Sequence, residues 1–398
     1  MKTELASWRT ASLLTPAPGA GSGVPAHADD QWDACHETLR GDTHSRVAPA
    51  RIERMIGDRM KHKEAVCTAA STATLENENG WALILAGGDG TRLQALTRII
   101  TGVPIPKQYC RIIGEKSLIE ATLARVSCVV PRERTLVILN ENHLDVARTQ
   151  LATLPRQNVV VQPCNRDTGP GLVMALLFLA RRAPEATLAV FPSDHFIRSQ
   201  AAFAASVERM QRVLAVYPEK IVLLGVRPDR VDPSLGYVIP AGTPSDLERL
   251  GGFRVQGFEE KPAPSRAAAI IRQGALWSSF IMLFRVRRML EIVRAVRPRE
   301  VAAMERFLGD PAAGGLDYRR LGAWNLSHDV LAQRPHDLLV IAADDLGWSD
   351  WGTPDAIVRT VSALGLTTPP WLSAPLTEAR GSALRESKHT DARASQMT

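Results

Sequence analysis

The chain has 398 residues, of which 45% are hydrophobic and 23% charged, and it carries a net charge of +6. This is ordinary globular composition, enough for one large α/β domain with appendages or for two domains. Scattered arginines and an aromatic content of 5% argue against nucleic acid as a partner, because no basic stripe carries interleaved aromatics.

Residues 1–80 are rich in Ala, Pro, Gly, Ser and charge without a sustained period. They are expected to be a disordered extension, with Arg51 to Lys63 as the one stretch able to form a short helix. Ala26-His27-Ala28 resembles a cleavage site, but Pro16 and Pro18 break the segment before it, so it lacks the apolar stretch of a signal peptide. The longest apolar run, around Gly171 to Ala180, is too short to cross a bilayer, so no membrane association is expected. Cys35, Cys67, Cys110, Cys128 and Cys164 are dispersed, with no Cys-x-x-Cys pair. That pattern suits reduced thiols in the cytoplasm better than disulfides or a zinc site.

The apolar run Trp81–Ala86 predicts a buried strand. It breaks at once into Gly87-Gly88-Asp89-Gly90-Thr91-Arg92-Leu93. Three glycines in four positions let the backbone turn sharply and bring its N–H groups close to a ligand, and such concave groups of donors suit phosphate. Arg92 adds a fixed charge with several donors. The loop lacks the lysine of a P-loop and the third glycine of a dinucleotide fingerprint.

Downstream, strands are predicted at Thr135–Asn140, Val159–Gln162, Thr187–Phe191 and Ile221–Val226. Helices are predicted at Ser117–Val130, Glu141–Leu154, Gly169–Arg182 and Ala201–Val216. Short apolar strands alternating with amphipathic helices predict a doubly wound, mostly parallel, Rossmann-like sheet. From Gly236 the pattern shifts to strands without intervening helices, at Gly236–Pro240, Phe253–Phe258 and Leu276–Phe284. This predicts a mixed extension of the same sheet. The domain is expected to end near residue 364, with residues 365–398 forming a disordered tail.

Ligands of such sheets sit beyond the carboxyl ends of the strands. Lys107 follows two prolines that fix its direction. Gln162 closes the third strand with an amide able to pair with a base edge. Asp194 ends the fourth strand, and Asp350 follows the distant strand around Val340. Two carboxylates on strand-end loops can hold one Mg²⁺, with water and phosphate oxygens completing its shell. Glu260 and Lys261 end a further strand, where they can meet sugar hydroxyls and phosphate.

Taken together, Gly87 to Leu93, Pro106-Lys107-Gln108-Tyr109, Gln162-Pro163 with Arg166, Pro192-Ser193-Asp194-His195, Gly236-Tyr237, Phe258 to Pro262 and Gly347-Trp348-Ser349-Asp350 resemble the sugar-1-phosphate nucleotidyltransferases. The likeness spans about Trp81 to Leu364 and is strongest to the mannose-1-phosphate guanylyltransferase branch. The resemblance implies the nucleotide-diphospho-sugar transferase fold and transfer from an NTP, with GTP favoured. The favoured acceptor is mannose 1-phosphate, and pyrophosphate is released. Uridylyl or thymidylyl transfer to glucose 1-phosphate and a non-catalytic sugar-nucleotide-binding relative are the alternatives.

By the same resemblance, Gly87, Gly88, Gly90, Thr91, Arg92 and Gln162 would bind the nucleotide. Arg92, Lys107 and Asp194 would be catalytic, and Asp194 and Asp350 would hold Mg²⁺. Gly236, Glu260, Lys261 and Ser278 would meet the sugar phosphate. Homo-oligomerisation is compatible with all of this.

Three departures stand out. Trp277-Ser278-Ser279-Phe280 replaces the family's Trp-Asn-Ser/Thr-Gly. Asp89 stands where serine is frequent, and Asp167 where asparagine is common.

Overall fold

The computed structural model describes residue 75 and residues 79–242, 245–309 and 318–373. The possible helix at Arg51 to Lys63, and most of both segments expected to be disordered, lie outside the described residues. Of the expected tail, residues 365–373 are described: Pro370–Ser373 is helical and Trp371 Nε1 donates to Ile112 O at 2.8 Å. Leu75 is an exception at the edge. It is buried, and its N–H donates to Val129 O at 3.3 Å.

The strands are β1 (Gly80–Ala86), β2 (Thr135–Asn140), β3 (Val159–Gln162), β4 (Thr187–Pro192), β5 (Phe196–Ile197), β6 (Ile221–Val226), β7 (Gly236–Pro240), β8 (Gly252–Glu260), β9 (Leu276–Arg285), β10 (Leu338–Ala343) and β11 (Trp348–Ser349). Nine of them form one sheet in the order β3-β2-β1-β4-β9-β6-β10-β8-β7, and β11 pairs separately with β5. β3, β2, β1 and β4 run parallel, as do β6 and β10. β9 enters antiparallel between β4 and β6, and β8 and β7 add an antiparallel edge. This is an α/β fold with a mixed sheet.

The central strands are apolar and covered on both faces. One face packs on the helix Thr168–Arg182 and on Val286–Val296, and the other on Gln200–Val216. Near-continuous burial along β1 and β2 is what strands covered on both faces require.

Two expectations need correction. Glu141–Leu154 is helical only at Leu144–Ala147, preceded by a short 3₁₀ turn at Glu141–His143; Leu151 and Leu154 beyond it are buried from turns rather than from a continued helix. The stretch after Gly236 also contains helices at Pro264–Arg272, Val286–Val296 and Pro298–Gly309. The first and the last open on prolines, Pro264 and Pro298, which favour helix starts but read locally as loop.

Candidate functional site

A cavity of about 600 Å³ opens over the carboxyl ends of the parallel strands. Gly87, Gly88, Arg92, Gln162, Asp194, Gly236, Glu260, Lys261, Ser278 and Asp350 all line it. Gly90, Thr91 and Lys107 do not. The strand order sets the sequence across its floor: Gln162 on β3, the glycine loop after β1, Asp194 after β4, Ser278 on β9, then Glu260 and Gly236 on the paired β8 and β7.

The glycine loop is braced from behind. Gln108 Nε2 donates to the carbonyls of Ala86 and Gly88, at 3.1 and 2.7 Å, and Tyr109 Oη donates to Ala86 O at 3.2 Å. Gly90 has φ +59°, and a Cβ there would lie 2.9 Å from Lys107 N. No other residue can take that turn and that approach at once. Arg92 is exposed on the pocket wall, and among the described residues it has no carboxylate partner.

Asp89 points into a ring of donors. Its Oδ1 accepts from Asn140 Nδ2 at 3.2 Å and lies 3.1 Å from His143 Nε2, while Oδ2 accepts from Asn165 Nδ2 at 2.9 Å. Burial pushes the His143 pKa down more than Asp89 pulls it up, so the imidazole is neutral and donates as Nε2–H. The carboxylate beside the phosphate cradle is therefore satisfied locally. Asn140, His143 and Asn165 carried no motif and went unread in the sequence; an Asn at a strand end beside the loop is the only signal they offered.

Gln162 sits opposite Asn140 in the β2–β3 register. It is buried, its Nε2 donates to Asn140 Oδ1, and its Oε1 accepts from Tyr318 Oη at 2.9 Å. A Cβ at Gly87 would fall 2.4 Å from Gln162 Nε2, so the amide is packed directly against the loop backbone. The arrangement leaves one amide hydrogen for a ligand, less than the sequence-based reading of a free base-reading amide.

Asp194 and Asp350, far apart in sequence, are brought together by the β5–β11 ladder. Trp348 pairs with Ile197 and Ser349 with Phe196, so the residue two before β5 meets the residue just after β11. Lys107 closes the junction from below. Its Nζ lies 3.2 Å from Asp194 Oδ2 and donates to the carbonyls of Asp350 and Trp351, at 2.9 and 3.1 Å. Lys107 is buried, and these contacts are to the Asp194 carboxylate and to two backbone carbonyls. The two prolines before it fix its direction but not its target. Burial alone would raise the Asp194 carboxyl, but Lys107 and His195 outweigh it and hold the group below the usual carboxylate range. His195 Nδ1 accepts from Trp348 Nε1 at 3.2 Å, which fixes its tautomer.

At the far wall, Glu260 faces Gly236 in the β7–β8 register. Burial raises its pKa, Asp167 adds to the effect, and Lys261 Nζ at 3.8 Å opposes it. Asp167, Lys261, Phe280, Asp345 and Trp351 are the five non-glycine residues with left-handed backbone among those described. Three of them line the cavity and Trp351 adjoins Asp350. Strain of this kind collects at ligand sites.

Asp194, held ionised, and Asp350 both line this cavity, and among the described residues no group of three or more acidic, Cys or His side chains is gathered to hold a metal. That donor set fits a hard divalent cation that keeps several waters and substrate oxygens, and does not fit zinc.

The glycine loop, Asp194 and Asp350 line one cavity over a mixed α/β sheet, and the comparisons give the family. Residues 81–365 match the family described as Nucleotidyl transferase, and the chain belongs to it. It is 32% identical to the xanthan biosynthesis protein XanB of Xanthomonas campestris pv. campestris over 68% of this chain and 57% of that protein. It is 31% identical to mannose-1-phosphate guanylyltransferase of Escherichia coli K12 over 69% of this chain and 58% of that protein. The chain thus spans little more than half the length of the curated relatives it matches. A crystal structure described as mannose-1-phosphate geranyltransferase from Thermus thermophilus superposes with a TM-score of 0.62 at 28% identity, covering 71% of this chain and 79% of that one.

Proposed function

We propose that the chain transfers a nucleotidyl group from an NTP to a hexose 1-phosphate, forming an NDP-sugar and pyrophosphate. GTP and mannose 1-phosphate are the favoured substrates, as the names of the curated relatives suggest. The single observation that carries the reading is one cavity holding Arg92 at the glycine loop, Glu260 and Lys261 at the opposite wall, and Asp194 beside Asp350 between them.

In this reading the loop N–H groups and Arg92 receive the triphosphate. Lys261 receives the phosphate of the acceptor, whose ionised oxygen attacks the α-phosphorus in line with departing pyrophosphate. That nucleophile is already deprotonated, so no strong general base is needed, and His195, tied to Trp348, is not one. Asp194 and Asp350 would hold Mg²⁺, which supplies neutralisation of phosphate charge when bound. The residues of the chain align the two anions and hold them against their mutual repulsion.

The test is pyrophosphate release across four NTPs and a panel of hexose 1-phosphates. Turnover greatest with GTP and mannose 1-phosphate is the expected result. UTP or dTTP with glucose 1-phosphate as the best pair would overturn the specificity, and no release with any pair would overturn the reaction.

A further inference from the structure

A row of buried amides beside the glycine loop can point only one way. The Gly87 carbonyl and the Asp89 carboxylate can only accept, and Asn140 Nδ2 donates to both, at 2.6 and 3.2 Å. Asn140 therefore turns its Oδ1 toward Gln162, its partner in the β2–β3 register. That oxygen can only accept, so Gln162 presents Nε2 to it and directs Oε1 to Tyr318 Oη at 2.9 Å. A tyrosine hydroxyl donates or accepts and would satisfy either orientation of the amide. Asn140 is the residue that sets the direction. It and Gln162 are both buried, so water cannot relieve a reversed amide, which would set Gln162 Oε1 against Asn140 Oδ1.

The direction matters because of where the two ends of the amide lie. Gln162, Gly87 and Gly171 line the cavity. Nε2 packs on the loop backbone at Gly87, and Oε1 lies toward Gly171. One Nε2 hydrogen is taken by Asn140 and the other is left for a ligand. The sheet order brings the base here. The glycine loop follows β1, and Glu260 ends β8 near the opposite edge, so a nucleoside on the far side of the triphosphate lies over β2 and β3. A base that turns a carbonyl oxygen to this hydrogen gains a bond. A base with an exocyclic amine at the same place sets donor against donor, and the locked amide cannot turn to repair it.

We propose that Asn140 is a positioning residue for base choice: through Gln162 it selects a nucleotide whose base presents a carbonyl oxygen, as guanine and uracil do, over its amino counterpart. This rests on the nucleotidyl transfer proposed above and deepens it, without depending on guanine in particular.

The experiment measures kcat and KM for pyrophosphate release in two matched pairs, GTP against 2,6-diaminopurine riboside triphosphate and UTP against CTP, with mannose 1-phosphate and glucose 1-phosphate as acceptors. The proteins are the parent, Asn140→Ala, Asn140→Ser and Tyr318→Phe. In the parent, kcat/KM for the carbonyl base should exceed that for the amino base by about tenfold or more, the scale of one unpaired buried polar group. The difference should lie in KM, since the base is remote from the reacting phosphorus. Both Asn140 variants free the amide to turn and should shrink the ratio toward one. The serine hydroxyl can donate to the loop or accept from Gln162, so the comparison survives if the alanine variant folds poorly. Tyr318→Phe removes a bond from Oε1 but leaves the lock, so it should lower both members of a pair alike and keep the ratio. Amino bases used as well as carbonyl bases in the parent would overturn the inference and leave nucleotidyl transfer standing. A ratio unchanged in the Asn140 variants, or one that collapses in Tyr318→Phe alone, would do the same. UTP as the best nucleotide would overturn the GTP preference and leave the inference standing. No release from any nucleotide would overturn both.

Discussion

The two ends of the sheet treat charge in opposite ways. At the amino ends of β6 and β10, Asp337 is 5% exposed at its side chain and is surrounded by basic side chains: Arg288 at 2.8 Å, Arg334 at 2.7 Å and His336 at 3.3 Å. Arg288 also donates to Glu219 O at 2.9 Å, tying together the segments that lead into both strands. At the carboxyl ends, Arg92 has no carboxylate partner among the described residues, Asp350 offers its backbone carbonyl but not its carboxylate to Lys107, and three strained residues line the cavity. Charges that stabilise a fold are neutralised by the fold. Of the cavity charges, Arg92 and the Asp350 carboxylate make no ion pair among the described residues, while Asp194 is held by Lys107.

A cavity carboxylate that proved structural would erase this difference. Asp350→Ala should lower kcat by about a thousandfold, at the upper end of the range for losing one charge-stabilising group, with little change in melting temperature. An Asp350→Ala protein with full activity at low Mg²⁺ would sink the two-carboxylate metal assignment.

Arg92→Ala should come next, lowering kcat by about a hundredfold while the denaturation midpoint stays put, because no ion pair of the folded protein is lost. If only KM rose, Arg92 would be a uniform binder of the triphosphate and not a group that acts in the transition state.

At the other end the outcome should invert. Asp337→Ala should leave kcat/KM unchanged and cost about 2 kcal/mol of stability, less than the roughly 3–5 kcal/mol of a fully buried pair because the arginines are part-exposed. The pH dependence has a defined sign. Burial pushes the Asp337 carboxyl up, but Arg334, His336 and Arg288 together hold it below the usual carboxylate range. A carboxyl depressed on folding contributes stability above its unfolded pKa of about 4, and that contribution is lost as pH falls through the folded value. Urea titrations from about pH 6 downward should therefore converge for parent and variant in acid. Curves that stay parallel would show that packing, not charge, explains the loss.

Much of the site's membership was legible because strand ends are legible. β2, β3, β6 and β7 fall where their apolar runs begin and end, and residues placed just beyond such runs, Gln162, Asp194 and Glu260, line one cavity. What the sequence hid is contact between distant loops. β5 and β11 are two residues each, too short for any periodicity, yet they bring Asp194 to Asp350 and supply the Trp348–His195 bond. Lys107 could be read as a directed cation, but its target depends on that ladder. Asp89 read only as a departure from a frequent serine, and the groups that satisfy it, Asn140, His143 and Asn165, come from other segments. The bulge of β9 against β6, with Phe280 at φ +58°, has no local signature, since Leu-Trp-Ser-Ser-Phe-Ile reads as ordinary strand.

The smallest predicted effect sharpens the contrast within the cavity itself. Ser278 lines the pocket one residue before the bulge, and its hydroxyl already accepts a long bond from Phe280 N–H. Its proton remains for a sugar, so the side chain can donate once and accept little. An asparagine at the same position is longer and carries both an acceptor and two donors. Ser278→Asn should therefore add about one hydrogen bond to a correctly placed hydroxyl, worth ~1 kcal/mol, or about fivefold in kcat/KM. A sugar lacking that hydroxyl, or presenting it on the other face, should gain nothing, and discrimination between mannose 1-phosphate and glucose 1-phosphate should rise by the same factor. In the parent protein it is expected to be at most about a hundredfold, because no buried amide is left unpaired by the wrong epimer. Steady-state kinetics with both sugars in both proteins decide it: strict selectivity in the parent, unmoved by the substitution, would place hexose reading elsewhere, with Glu260 and Lys261 the next groups to change.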